Sequence, residues 1–139
     1  MIDALVGKIR DAEKRTKDIE TIAGVPRGGL VPAVSLAHRL DATYVDMETH
    51  EGGISLIVDD ILDSGMTYRR LFGESGSDAS AGYFVVLFIK RSQENRYKNV
   101  IYAERVDDDV WIVFPWENPL DTEVKKDISL YIKKIHAGS

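Results

Sequence analysis

The stretch at residues 56–71, LIVDDILDSGMTYRRL, constrains the fold more than any other part of the chain. It opens on a short apolar run, Leu56-Ile57-Val58, long enough only for a buried strand. That run ends in two adjacent carboxylates, Asp59 and Asp60. A polar loop follows, Asp63-Ser64-Gly65-Met66-Thr67, and a helix is expected from Tyr68-Arg69-Arg70-Leu71. Such a strand, turn and helix suit a sugar phosphate. A helix start offers unpaired N–H groups and partial positive charge to a phosphate. Gly65 lets the backbone come close, and Ser64 and Thr67 add hydroxyl donors. Neighbouring carboxylates accept from the vicinal hydroxyls of a ribose and from water on a Mg2+. The plain alternative is a parallel-sheet strand ending in a solvated acidic turn.

The flanking sequence supplies the other layers. Residues 3–16 carry Leu5, Ile9 and Ala12 between charges, which predicts a helix with Asp3 as its N-cap. Residues 19–25 predict a strand running into Pro26-Arg27-Gly28-Gly29, and residues 30–40 a helix. Residues 42–47 predict a second strand, tied to the central one by a polar turn, residues 48–53 (ETHEGG). Residues 74–81 form a loop of small residues, and residues 82–90 (GYFVVLFIK) should be a buried strand. Residues 92–99 are polar. Residues 100–103 and 110–114 predict short strands around the acidic turn Asp107-Asp108-Asp109, and residues 121–135 a closing amphipathic helix. Strands alternating with helices imply an α/β fold with a doubly wound, mostly parallel sheet and ligands at the carboxyl ends of the strands.

Composition narrows the function. The 139 residues suit a single domain. The net charge of -5, with no long Lys/Arg run, argues against a nucleic-acid partner. No apolar run reaches membrane-spanning length, so no membrane partner is expected. The absence of cysteine excludes a disulfide scaffold and fits a cytoplasmic protein.

The 56–71 stretch resembles the 5-phosphoribosyl-1-pyrophosphate (PRPP) signature of the type I phosphoribosyltransferases: apolar strand, acidic pair, two residues, Asp, Thr or Ser, Gly, any residue, Thr. Val25-Pro26-Arg27-Gly28-Gly29 again follows a strand and opens a helix. Alone, it fits a pyrophosphate loop and a tight turn equally; beside the first motif it resembles that family's pyrophosphate loop. The resemblance implies a cis peptide between Pro26 and Arg27. It also implies a core over residues 17–91 and a small C-terminal hood with the last helix over residues 92–139.

Lys90 and the segment Trp111-Ile112, followed by Trp116 and Glu117, look like the base-binding hood of xanthine-guanine and hypoxanthine phosphoribosyltransferases. The resemblance implies that Lys90 donates to a purine 6-oxo group, Trp111 stacks on the base, and Ile112 offers backbone groups to its 2-position. Taken as residues alone, Lys90 reads equally as a solvated strand end, and Trp116 as core packing. The implied activity is transfer of 5-phosphoribosyl from PRPP to xanthine, guanine or hypoxanthine, with release of pyrophosphate and formation of a nucleoside monophosphate. Arg27, Gly28 and Gly29 would hold pyrophosphate with Mg2+. Asp59 and Asp60 would hold ribose hydroxyls and, through water, the metal. Ser64, Gly65, Met66 and Thr67 would take the 5-phosphate, and Asp63 the purine proton. Relatives form homodimers or homotetramers.

One departure matters. Family members carry a long mobile lid between the strand at 42–47 and the central strand, whereas residues 48–53 form a hairpin-sized link. A PRPP-binding regulator with reduced or no catalysis is therefore the rival reading. A phosphoacceptor receiver domain ranks behind it, because a strand and helix with their own phosphate loop precede the acidic pair. His50, His38 and His136 read as surface residues without a role, and Asp107-Asp108-Asp109 as a solvated turn.

Overall fold

The computed structural model describes residues 1–13, 19–74 and 81–114. Its strands are β1 (Thr21–Gly24), β2 (Thr43–Tyr44), β3 (Ile54–Leu62), β4 (Ala81–Lys90) and β5 (Val100–Val106). Its helices are α1 (Ile2–Glu13), α2 (Leu30–Leu40) and α3 (Met66–Phe72), with a 3-10 turn at Arg91–Gln93. The strands form one sheet in the order β2-β1-β3-β4-β5, and every neighbouring pair is parallel.

The sheet is covered on both faces, as an all-parallel sheet requires. Leu5, Val6 and Ile9 of α1 and Ala33, Leu36 and Ala37 of α2 pack on one face against Leu56, Val58 and Val85. Tyr68 and Phe72 of α3 pack on the other against Ile57, Phe84 and Val86. The rings of Tyr68 and Phe72 stack at 4.9 Å and both meet Phe84 edge-on at 5.8 Å. From β1 the chain moves outward to β2; from β3 it moves the opposite way to β4 and β5. Strand order therefore reverses between β1 and β3, and a crevice opens at their carboxyl ends. Both phosphate-loop motifs sit there.

The bounds of α2 coincide with the expectation, and other elements differ for identifiable reasons. β3 does not end at Val58. It runs through Asp59 and Asp60 to Leu62, because Ile61 and Leu62 pair with Phe88 and Ile89 of β4. The inward–outward alternation slips by one at the acidic pair: Val58 and Ile61 face α1 and α2, while Ile57 and Leu62 face α3. Residues 110–114 form no strand; Val110, Ile112 and Phe114 fill the core as an irregular segment. Asp3 lies inside the first turn of α1 rather than capping it.

β2 is shorter than expected, and the link after it is not a hairpin. β1 lies between β2 and β3, so residues 45–53 cross the α3 face of the sheet, where Val45 and Met47 pack. Asp46 closes the link on itself, accepting the Glu48 amide at 2.8 Å through Oδ1 and the His50 amide at 2.9 Å through its carbonyl. No lid-length loop stands there. His38 is exposed and His50 half-buried. The expected last helix, with Trp116, Glu117 and His136, most of the loop at 74–81 and the end of the first helix lie outside the described residues. No helix among the described residues is long and apolar enough to cross a membrane.

Candidate active site

The loop after β1 closes tightly. The Gly29 amide donates to the Val25 carbonyl at 2.8 Å, and the Leu30 amide to the Arg27 carbonyl at 3.2 Å. The Pro26–Arg27 peptide is cis, as the family resemblance implied. Gly29 is packed into the sheet: a β-carbon there would stand 2.0 Å from the Val58 carbonyl oxygen. Its amide is occupied by the turn, which corrects the expectation that it faces a ligand. Among the described residues the Arg27 and Gly28 amides have no backbone acceptor, and the Arg27 side chain is exposed.

The two motifs meet at Gly28. A β-carbon there would lie 2.2 Å from Asp60 Oδ2. The half-buried Asp60 carboxylate thus rests directly on the first loop, and only a glycine permits that approach. The two acids differ in surroundings, which their adjacency in sequence did not suggest. Asp59 is 8% exposed and lies under the site. Its Oδ1 accepts the Asp60 amide at 2.8 Å, and Asp60 Oδ1 accepts the Ile61 amide at 2.8 Å. Burial first, then the Asp60 charge, pushes the Asp59 carboxyl up from 3.8 to about 8, with the Arg70 guanidinium pulling weakly the other way.

The second loop leaves β3 at Asp63 and Ser64, both exposed. Gly65 holds φ at 81° and caps α3, a conformation suited to glycine. The Met66 amide donates to Ser64 Oγ at 3.3 Å, Met66 is 67% exposed, and Thr67 is half-buried. Sequence reasoning missed two residues here. Arg69 Nη1 donates to the Ser64 carbonyl at 3.2 Å and to Tyr97 Oη at 2.7 Å. An aromatic residue inside the otherwise polar 92–99 segment was the available signal for Tyr97.

Lys90, at the end of β4, is no solvated strand end: it is 6% exposed. Its ammonium donates to the Asp108 carbonyl at 3.1 Å and to the Val110 carbonyl. The acidic turn is tied down as well, because the Ser92 amide donates to Asp108 Oδ1 at 2.9 Å and Arg91 pairs with Asp107 at 3.2 Å. The chain then turns Ile112 into the core and leaves the Trp111 ring 71% exposed. A large exposed indole beside an anchored cation is available to stack on a flat ligand.

The donor set also fits a hard cation. Among the described residues no group of three or more His, Cys, Asp or Glu could hold a metal. One or two carboxylates beside phosphate oxygens are the usual Mg2+ arrangement, and Asp60 against the first loop would be the carboxylate to hold such an ion through water.

No family model matches the chain. It is similar to the xanthine-guanine phosphoribosyltransferase of Chromohalobacter salexigens, 31% identical over 120 residues that cover 73% of this chain and 70% of the relative. Its fold is similar to that of the purine phosphoribosyltransferase of Pyrococcus horikoshii, with a TM-score of 0.55 and 27% identity over 84% of this chain and 88% of that one. A hypothetical protein from Neisseria gonorrhoeae with bound ppGpp shares the fold over 99% of this chain and 90% of its own, with a TM-score of 0.65 and 21% identity. With both glycine-containing loops at the sheet's switch point and relatives of this identity and coverage, the chain belongs to the type I phosphoribosyltransferases, in their purine branch.

Proposed function

We propose that this protein transfers the 5-phosphoribosyl group of PRPP to a 6-oxopurine with the help of Mg2+. The observation that carries the reading is the Asp60 carboxylate seated on Gly28, which brings the two loops to one crevice. In this reading Arg27 and the free amide of Gly28 hold the pyrophosphate. The loop from Ser64 to Thr67 takes the 5-phosphate, and Asp60 binds ribose hydroxyls and water on the metal. Asp59 supports Asp60 from below rather than facing the sugar. A bound Mg2+ would neutralise charge on the departing pyrophosphate.

The reaction forms a bond from a purine nitrogen to C1 of the ribose and breaks the bond from C1 to the pyrophosphate oxygen. The ring proton leaves the purine as the new bond forms. Asp63, exposed at the mouth of the crevice, is the acceptor for it. Lys90 has three donors and uses two on carbonyls, so one remains for the 6-oxo group. Trp111 covers the base, and the Ile112 side chain anchors the segment that presents it.

A second reading, a PRPP-binding regulator with little or no turnover, is favoured by the compact 45–53 link, which is too short to act as a lid that excludes water. One assay separates the two. PRPP and Mg2+ are supplied with guanine, xanthine or hypoxanthine, and nucleotide formation is followed by absorbance. Turnover with at least one base supports the transferase. Saturable binding of PRPP, or of the ppGpp seen in the Neisseria gonorrhoeae neighbour, without turnover supports the regulator.

A further inference from the structure

We infer that Arg69 and Tyr97 are positioning residues that clamp the Ser64–Gly65 peptide and so hold the second phosphate loop in its binding shape; this rests on the reading of that loop as the 5-phosphate site. The geometry is specific. Arg69 lies one turn into α3, and its Nη1 bridges the Ser64 carbonyl and Tyr97 Oη. Tyr97 arrives from a distant part of the chain, the connection between β4 and β5. A β-carbon on Gly65 would fall 2.1 Å from Tyr97 Oη and 2.9 Å from Arg69 Nη1. The glycine's side-chain position is therefore filled by the clamp, and the peptide cannot swing toward it.

The clamp is itself braced. The Tyr97 ring packs on the Tyr68 ring at 4.5 Å, and Tyr68 Oη donates to the Lys98 carbonyl at 2.7 Å. The Arg96 guanidinium lies over the Tyr97 ring, 5.8 Å from its centroid. Arg69 also reaches toward Glu74 at 3.6 Å, a largely exposed pairing that adds little. Both bonds leave Nη1, whose two N–H groups are held in the guanidinium plane, whereas the donors of a lysine ammonium rotate freely on a flexible stem. Such preorganisation lowers the cost of ligand binding without adding a contact to the ligand.

The test uses Tyr97→Phe, which keeps the ring and removes the hydroxyl, and Arg69→Lys, which keeps the charge and removes the fork. Steady-state kinetics and amide hydrogen exchange at Gly65 to Thr67 are measured on the full chain. Loss of one such hydrogen bond should raise the KM for PRPP about fivefold in Tyr97→Phe. Arg69→Lys should do at least as much, with kcat and the KM for the base within about twofold and faster exchange confined to the loop. An unchanged KM for PRPP with unchanged loop exchange in both variants overturns the inference. So does an equal rise in both KM values, the mark of general loosening. Should the unsubstituted protein take up no PRPP, the reading of the site fails separately, and the exchange rates alone decide the clamp.

Discussion

Asp59→Asn should stabilise this protein, and the gain should grow with pH. The side chain is 8% exposed, and its carboxyl is pushed from 3.8 up to about 8, chiefly by burial and then by Asp60. The folded chain therefore keeps a proton on Asp59 that the unfolded chain gives up from about pH 4 upward. A carboxyl raised in the fold contributes stability that is fully present below 3.8 and is lost as pH rises to about 8. The loss is about 1.4 kcal/mol for each pH unit between those limits. Asparagine carries no such charge, and its oxygen can still accept the Asp60 amide that Asp59 Oδ1 now accepts at 2.8 Å. Its NH2 group can donate to Asp60 as the protonated acid does. Between about pH 5 and about pH 7.5 the advantage of the variant should widen by about 3 kcal/mol. Urea unfolding at the two pH values, with EDTA present, measures it directly. A variant no more stable at the higher pH, or an advantage that stays constant across the range, would refute the reasoning.

The two glycines of the first loop should fail differently. Gly29→Ala drives a β-carbon toward the Val58 carbonyl 2.0 Å away and should cost about 1–3 kcal/mol of stability in urea. Gly28→Ala drives its β-carbon into the Asp60 carboxylate, the end of a side chain that can move, so the chain should fold with a near-native midpoint and lose most PRPP binding by calorimetry. Lys90→Met strips the Asp108 and Val110 carbonyls of their donor and should cost about 1–3 kcal/mol. Trp111→Ala, at a side chain 71% exposed, should leave stability unchanged and raise the KM for the base. Asp63→Ala should lower turnover by roughly 10²–10⁴-fold without moving the KM for PRPP, and an unchanged rate excludes it as proton acceptor.

What could be read from the chain was local. The periodicity of α2, the apolar strands and the two glycine loops depend on neighbours within a few residues, and the sequence shows them directly. What could not be read depends on contacts far along the chain. The acidic pair looked like a strand end because the apolar run stops at Val58; pairing of Ile61 and Leu62 with β4 carries the strand on. Lys90 read equally as a solvated strand end because the carbonyls that hold it lie 18 and 20 residues ahead. The Arg69–Tyr97 contact spans 28 residues and left no periodic trace. Residues 110–114 have a strand's alternation, with Val110, Ile112 and Phe114 inward and Trp111 outward, but none of the described strands pairs with them. The insertion of β1 between β2 and β3 is a matter of sheet order, which hydrophobic patterning does not encode.

Isothermal titration of PRPP into the protein tests the central claim most directly, run with Mg2+ and again with EDTA. Saturable uptake of one PRPP per chain, strongly weakened by EDTA and by Gly28→Ala, is the result this site geometry demands. A folded protein that takes up no PRPP in the presence of Mg2+ would contradict it.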